Sequence, residues 1–177
     1  MAARSQWIAV GGILGGIAFA VGAALLLTPD IQLVAPGERA PDFRAVDLST
    51  GDTVRIARYE GEVVLLNIWA TWCAPCEAEM PSIQRLYEAL ADSGLRIVAV
   101  SVDQGTPESV RRWIEERHLT FQVLHDVSGR IERTYQTTGV PESFVIDRDG
   151  VIVKKHIGAD DWASPANQQL FRRLLDR

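Results

Sequence analysis

The only two cysteines of this 177-residue chain lie in one short motif, Cys73-Ala74-Pro75-Cys76. The motif follows an uncharged, mostly apolar run at residues 63–69 and precedes a segment with helical apolar periodicity. The run predicts a buried strand, which places the cysteines where a strand passes into the first turn of a helix. Unpaired N–H groups and the positive end of the helix dipole favour thiolate there, the form that attacks disulfides. The motif therefore predicts a redox-active dithiol.

Two other functions of a cysteine pair fit this sequence less well. A structural zinc site needs four ligands, but the chain has no second cysteine pair and its three histidines, His118, His125 and His156, are scattered. A structural disulfide normally joins distant segments instead of closing one helical turn. The sequence therefore predicts neither a metal nor a cofactor.

The N-terminal segment predicts membrane insertion. Residues 7–27 are 21 residues without a charge. At roughly 1.5 Å per residue they reach across a hydrocarbon core of roughly 30 Å. Arg4 precedes the run and Asp30 follows it, so residues 1–6 are predicted to be cytoplasmic and everything after Asp30 to lie on the periplasmic, extracytoplasmic side. The alternative is a cleaved signal peptide with its site near residues 18–20, but the length of the apolar run favours an uncleaved anchor.

The composition of the exported part limits its partners. Residues 30–177 carry 17 basic and 23 acidic side chains, a net charge of −6. This balance argues against nucleic acid or an anionic membrane surface as a partner. Residues 28–39 contain Pro29, Pro36 and Gly37 and predict a short tether, so the folded domain is expected at residues 40–177.

The pattern within the domain predicts an α/β fold. Residues 43–48 and 53–57 flank a polar turn and predict an N-terminal β-hairpin. The order of the elements after it alternates between strands and helices and ends with a second hairpin and a helix at residues 164–175. This order predicts a central mixed sheet with helices on both sides. Ahead of the last hairpin, Val140-Pro141 either marks a strand edge or, if folded beside the cysteines in cis, leaves nearby backbone free to pair with a substrate chain.

Three motifs carry a resemblance to a known family. They are residues 67–76 (NIWATWCAPC), residues 79–81 (EMP) and residues 139–147 (GVPESFVID). With them the chain resembles the thioredoxin superfamily and, more narrowly, its membrane-anchored TlpA/ResA group, which includes the cytochrome c maturation reductases of the CcmG/DsbE type. The resemblance extends from about Ala40 to the C-terminus and implies a thioredoxin-like fold.

The resemblance also implies roles for individual residues. Cys73 is the attacking thiol, and Cys76 resolves the mixed disulfide. Pro141 is cis beside them, and the substrate-binding residues are Trp72, Val140 and Pro141.

The site also needs a proton acceptor for the resolving thiol. Cytosolic thioredoxin has a buried aspartate six residues before its first cysteine, where this chain has Asn67, which cannot take a proton. Glu79 follows Cys76 by three residues and lies on the same helical face. The resemblance implies that Glu79 replaces the aspartate, while the alternative is a solvated helix glutamate such as Glu77. Residues 160–162 are interpreted as structural.

The remaining question is the direction of electron flow. Strong oxidants stabilise their reduced thiolate, and the uncharged Ala74-Pro75 dipeptide favours a reductant over a disulfide-forming oxidant. A Sco-type copper chaperone fits less well, because its two cysteines are separated by one residue more than in this chain. A peroxidase also fits less well, because it needs an isolated attacking cysteine. The resemblance implies a DsbD- or CcdA-like membrane electron donor, and client disulfides in apocytochrome c or in copper-site proteins of a respiratory oxidase.

Overall fold

The computed structural model describes residues 14–17, 19–23 and 33–177. The chain divides into two compact units, Met1–Gln32 and Leu33–Arg177. In the first unit, residues 14–17 and 19–23 are helical. None of the helices formed by the described residues has the length and apolar character needed to cross a membrane. The predicted cytoplasmic residues 1–6, and the predicted membrane segment 7–27 over most of its length, lie outside the described residues.

The second unit contains the strands and helices in the predicted order. The seven strands are β1 (Arg44–Asp47), β2 (Thr53–Arg55), β3 (Val63–Trp69), β4 (Leu95–Ser101), β5 (Gln122–His125), β6 (Glu142–Ile146) and β7 (Ile152–Ile157). The four α-helices are α1 (Ala74–Leu90), α2 (Pro107–Glu116), α3 (Arg130–Thr134) and α4 (Pro165–Leu175). Short 3-10 helices occupy Ile56–Tyr59 and Ala91–Ser93.

All seven strands form one mixed sheet in the order β2-β1-β5-β4-β3-β6-β7. Strand β3 lies inside the sheet, parallel to β4 and antiparallel to β6. Its seven residues are all buried, because the strand is covered on both faces. The thioredoxin-like α/β fold that the resemblance implied is confirmed, with the end of β3 leading directly into the cysteine motif.

The N-terminal hairpin is also confirmed. Strands β1 and β2 pair antiparallel, with Arg44 opposite Arg55. The carboxylate of Asp47 stabilises the turn by accepting a 2.7 Å hydrogen bond from the Ser49 backbone N–H. Because β1 also pairs with β5, the hairpin extends the sheet on the side away from β7.

The chain ahead of the hairpin lies at the other edge of the sheet, beside β7. Gly37 donates its N–H to the Ile152 carbonyl at 2.8 Å, and the Ile152 N–H returns a 2.9 Å bond to the Glu38 carbonyl. Val34 is only 5% exposed. The described C-terminal part of the predicted tether is therefore held against the domain.

Candidate active site at the Cys73–Cys76 disulfide

The two cysteines lie at the N-terminus of α1 and are joined in a disulfide. Cys73 is the N-cap residue, and its Sγ accepts a 3.2 Å hydrogen bond from the Cys76 backbone N–H. Pro75 occupies the first turn, where a missing N–H costs little. Cys76 is fully buried and Cys73 is 5% exposed. The helix N-terminus thus directs a hydrogen-bond donor at the sulfur that is predicted to attack.

A buried carboxylate holds the loop that enters this helix. Asp103, just beyond β4, accepts hydrogen bonds from the Thr71 backbone N–H at 3.0 Å and from the Thr71 hydroxyl at 2.5 Å. The Ser101 hydroxyl donates to the same carboxylate at 2.7 Å. Between Thr71 and Cys73, Trp72 is 69% exposed. The anchored loop therefore presents an aromatic surface beside a buried disulfide.

The structure brings the predicted proline to the cysteines. The Val140–Pro141 bond is cis, and the Val140 carbonyl oxygen lies 3.4 Å from Cys73 Sγ. Pro141 is buried and Val140 is half-buried. The cis geometry and its place beside Cys73 agree with what the resemblance implied, whereas client binding by Trp72, Val140 and Pro141 stays a prediction.

Glu79 is a buried carboxylate, unlike the solvated glutamate of the alternative interpretation. The residue is only 2% exposed, and its Oε1 accepts a 2.8 Å hydrogen bond from Asn67 Nδ2. Burial raises the pKa of Glu79 to about 7, against the lowering effect of its hydrogen bonds. A carboxyl group with this pKa exchanges protons near neutral pH, as a general acid–base group must. Proton transfer by Glu79 stays a prediction.

Two neighbours of Glu79 could not be identified from the sequence. The indole N–H of Trp162 and the backbone N–H of Asp160 each donate to Oε2 at 3.2 Å. The segment around them was interpreted as structural, and in the fold it also contacts the predicted proton acceptor. Residues 79 and 162 are far apart in sequence, so no local spacing could have identified the contact.

A buried ion pair beside the cis-proline could not be identified from the sequence either. Glu142 follows Pro141 and is fully buried. Its carboxylate lies 2.9 Å from Lys155 Nζ and accepts a 3.1 Å hydrogen bond from the Thr138 N–H. The Lys155 ammonium group also donates to the Val34 carbonyl at 3.4 Å. The pair therefore links the loop beside Cys73 to β7 and to the segment along its edge.

Comparison with known proteins places this site in a family. The AhpC/TSA family profile matches residues 36–155. The chain belongs to the AhpC/TSA family. Within it, the chain is 38% identical over 129 residues to the thiol-disulfide oxidoreductase ResA of Bacillus cereus, covering 73% of each protein. It is 41% identical over 126 residues to ResA of Oceanobacillus iheyensis, covering 70% of this chain and 65% of that relative's length.

Solved structures agree with the sequence relatives. A putative thiol:disulfide interchange protein DsbE from Chlorobium tepidum superposes with a TM-score of 0.67 at 28% identity, covering 80% of this chain and 95% of that one. The likeness to ResA and DsbE proteins and the disulfide at Cys73 and Cys76 identify this family member as a thiol-disulfide oxidoreductase of the ResA/DsbE type.

Proposed function

We propose that the protein is held in the membrane by an N-terminal anchor and reduces specific client disulfides outside the cytoplasm. The observation that carries the proposal is the disulfide at the start of α1, with the Val140 carbonyl 3.4 Å from Cys73 Sγ. A backbone group beside the attacking sulfur can align a client chain by main-chain hydrogen bonds. The exposed Trp72 side chain supplies apolar contact area at the same edge.

Reduction of a client takes place in two exchange steps. The Cys73 thiolate attacks one sulfur of the client disulfide, which releases the other client sulfur as thiolate and leaves a mixed disulfide. Cys76 then loses its proton and attacks the Cys73 sulfur, which releases the second client thiolate and closes the Cys73–Cys76 bond. The protein is oxidised by two electrons and the client disulfide is reduced to two thiols. Glu79 is proposed to accept the Cys76 proton.

The redox couple is expected on the reducing side. The dipeptide between the cysteines is Ala74-Pro75, which adds no positive charge beside the Cys73 thiolate. Equilibration with dithiothreitol should give a potential nearer to that of thioredoxin, about −270 mV, than to that of DsbA, about −120 mV. A potential close to that of DsbA would show instead that the protein is a disulfide-forming oxidant.

Membrane anchoring is the second part of the proposal. Its support is the 21-residue uncharged run at residues 7–27 with Arg4 ahead of it. After cell fractionation the full-length protein should sediment with membranes and become protease-sensitive only from the extracytoplasmic side. A soluble exported product starting near Val21 would show instead that the segment is a cleaved signal peptide.

A reductase in this location needs a supply of electrons and a defined client. We propose a DsbD- or CcdA-like membrane protein as donor, because disulfides persist outside the cytoplasm without such a supply. The proposed clients are the haem-site cysteines of apocytochrome c or the copper-site cysteines of a respiratory oxidase. A Cys76→Ser variant retains client on Cys73 as a mixed disulfide, and mass spectrometry of the trapped species distinguishes the two classes.

A further inference from the structure

The Glu79 carboxylate is held on both of its oxygens. Oε1 accepts from Asn67 Nδ2 at 2.8 Å. Oε2 accepts from the Trp162 indole N–H and from the Asp160 backbone N–H, each at 3.2 Å. Trp162 contributes a side-chain donor that Phe at this position would lack, and it reaches Glu79 from a segment outside α1 and outside the sheet.

The Trp162 side chain is itself fixed. It is fully buried, and its backbone N–H donates to Ser82 Oγ at 3.0 Å, on the same helix as Glu79. The Phe171 ring of α4 lies 6.4 Å from the indole, and Lys154 Nζ lies 4.7 Å from it on another side. Contacts from α1, α4 and β7 therefore leave the indole N–H directed at Glu79 Oε2.

Charged groups surround this contact from several elements. The Asp160 carboxylate disfavours ionisation of Glu79, but Lys154 pairs with it at 3.0 Å. His156 Nδ1 lies 4.0 Å from the same carboxylate. Further out, Asp161 pairs with Arg85 at 3.7 Å. On α1 itself, Cys76 lies one turn before Glu79. The donors on Oε2 thus act at a carboxylate whose charge is opposed by burial and by Asp160.

A groove joins this region to solvent. It has a volume of about 410 Å³, and its lining includes Glu79, Ser82, Arg85 and Asp160. Glu79 is a lining residue but is only 2% exposed, so little of it reaches the groove. Ala159, Asp160 and Asp161 also line the groove, so the loop that leads into Trp162 borders it together with Glu79.

We propose that Trp162 is a positioning residue of the reductase, whose indole N–H holds Glu79 Oε2 so that the carboxylate faces Cys76 ready to accept its proton. The proposal rests on the proposed role of Glu79. Trp162 acts on the reaction only through Glu79. Asn67 and the Asp160 backbone complete the set of donors, and Lys154 keeps the Asp160 charge neutralised.

The test is the titration of Glu79 in a Trp162→Phe variant of the full-length protein. Carbon-13 NMR of the labelled carboxyl group follows Glu79 in the oxidised state, in which neither cysteine titrates and the coupling to the thiols is absent. Removing one donor to the charged form should raise the Glu79 midpoint by about one pH unit above the unsubstituted protein. Ring signals of His156 in the same samples separate its titration from that of Glu79.

Trp69→Phe is the matched control. Trp69 is equally buried, and its indole N–H has no hydrogen-bond partner among residues 14–17, 19–23 and 33–177. The same substitution there should leave the Glu79 midpoint in place. Should Trp162→Phe impair folding, 3-benzothienylalanine at position 162 removes the N–H while keeping the ring shape.

The outcomes separate the positioning of Glu79 from its chemistry. An unchanged midpoint in both position-162 variants, or an equal rise in the Trp69 control, would overturn the proposal for Trp162. A midpoint that rises only at position 162, together with a matching shift in the pH dependence of mixed-disulfide resolution, supports both parts. If the midpoint rises and that pH dependence stays unchanged, Trp162 positions Glu79 but Glu79 is not the proton acceptor.

Discussion

Replacing Glu79 by glutamine should slow resolution of the mixed disulfide by about 10²- to 10⁴-fold, the range typical of general acid–base catalysis. Cys76 must lose a proton before it attacks, and Asn67, at the thioredoxin aspartate position, has no group that takes one. Glutamine has nearly the shape of glutamate but cannot accept the proton. Stopped-flow measurement of client release from the Cys73 mixed disulfide gives the rate directly.

The site can accommodate the glutamine with modest rearrangement. Both Glu79 oxygens accept hydrogen bonds, so the new amide nitrogen would face a donor on either side. Asn67 Oδ1 is buried and has no partner among the described residues. Rotating the Asn67 amide by 180° turns that oxygen toward the glutamine nitrogen and leaves the glutamine oxygen facing Trp162. A large loss of rate is therefore expected without a comparable loss of folding stability.

Glu77→Gln is the control for this prediction. Glu77 lies on the same helix but is exposed, and it pairs with Arg117 at 2.6 Å across the protein surface. Removing its charge should change the rate little. Equal, small effects of the two substitutions would reduce Glu79 to a structural carboxylate and leave the reaction without an identified proton acceptor in the described part of the chain.

The rate of mixed-disulfide resolution should also depend on pH in a direction set by the pKa of Glu79. Burial raises the pKa of Glu79 to about 7, so the proton-accepting carboxylate form becomes populated as the pH rises through 7. Resolution in the unsubstituted protein should therefore accelerate over that interval. In the Glu79→Gln variant the rate should be slower and show no midpoint near 7, because solvent base must then take the Cys76 proton. Glu77→Gln should retain the midpoint of the unsubstituted protein.

Local sequence patterns were sufficient to predict the strand that leads to the cysteines and the start of the last helix. The continuous apolar run of β3 predicted a strand covered on both faces, and all its residues are buried. Ser164-Pro165 predicted the start of α4, and Ser164 Oγ does accept the N-cap hydrogen bond from Asn167. These predictions succeeded because strand burial and helix capping depend on residues that are close in sequence.

The environment of Glu79 could not be predicted in the same way. Asn67 and Trp162 reach its carboxylate from a central strand and from a segment near the C-terminus. Nothing in the local sequence of Trp162 distinguishes an indole that donates to a carboxylate from one that only fills the core. The family resemblance pointed to Glu79. Only the packing of α1 against the 160–162 segment shows why burial raises the pKa of Glu79 to about 7.

The pair Glu142–Lys155 was hidden for a related reason. In sequence, a glutamate after Val140-Pro141 and a lysine in an edge strand both look like surface charges. Antiparallel pairing of β6 with β7 places Glu142 and Lys155 close enough to interact, and packing removes the carboxylate from water. Burial of this kind depends on how two strands are covered, which a single strand's composition does not reveal.

Lys155→Met should lower the free energy of unfolding by about 3–5 kcal/mol, the usual cost of leaving one partner of a buried ion pair uncompensated. Glu142 is fully buried, and without Lys155 its carboxylate still accepts the hydrogen bond from the Thr138 N–H but has lost its cation. Urea denaturation of the oxidised domain at pH 7 measures the loss.

Two further variants test the reason for the loss. Combining Lys155→Met with Glu142→Gln removes both charges and should restore much of the stability, since buried pairs replaced by neutral groups often cost little. Arg96→Met breaks the exposed pair with Glu62 on the same sheet and should cost at most about 1 kcal/mol. If Lys155→Met costs no more than Arg96→Met, Glu142 does not need its cation, and the pair cannot be what holds the Thr138–Pro141 loop beside Cys73.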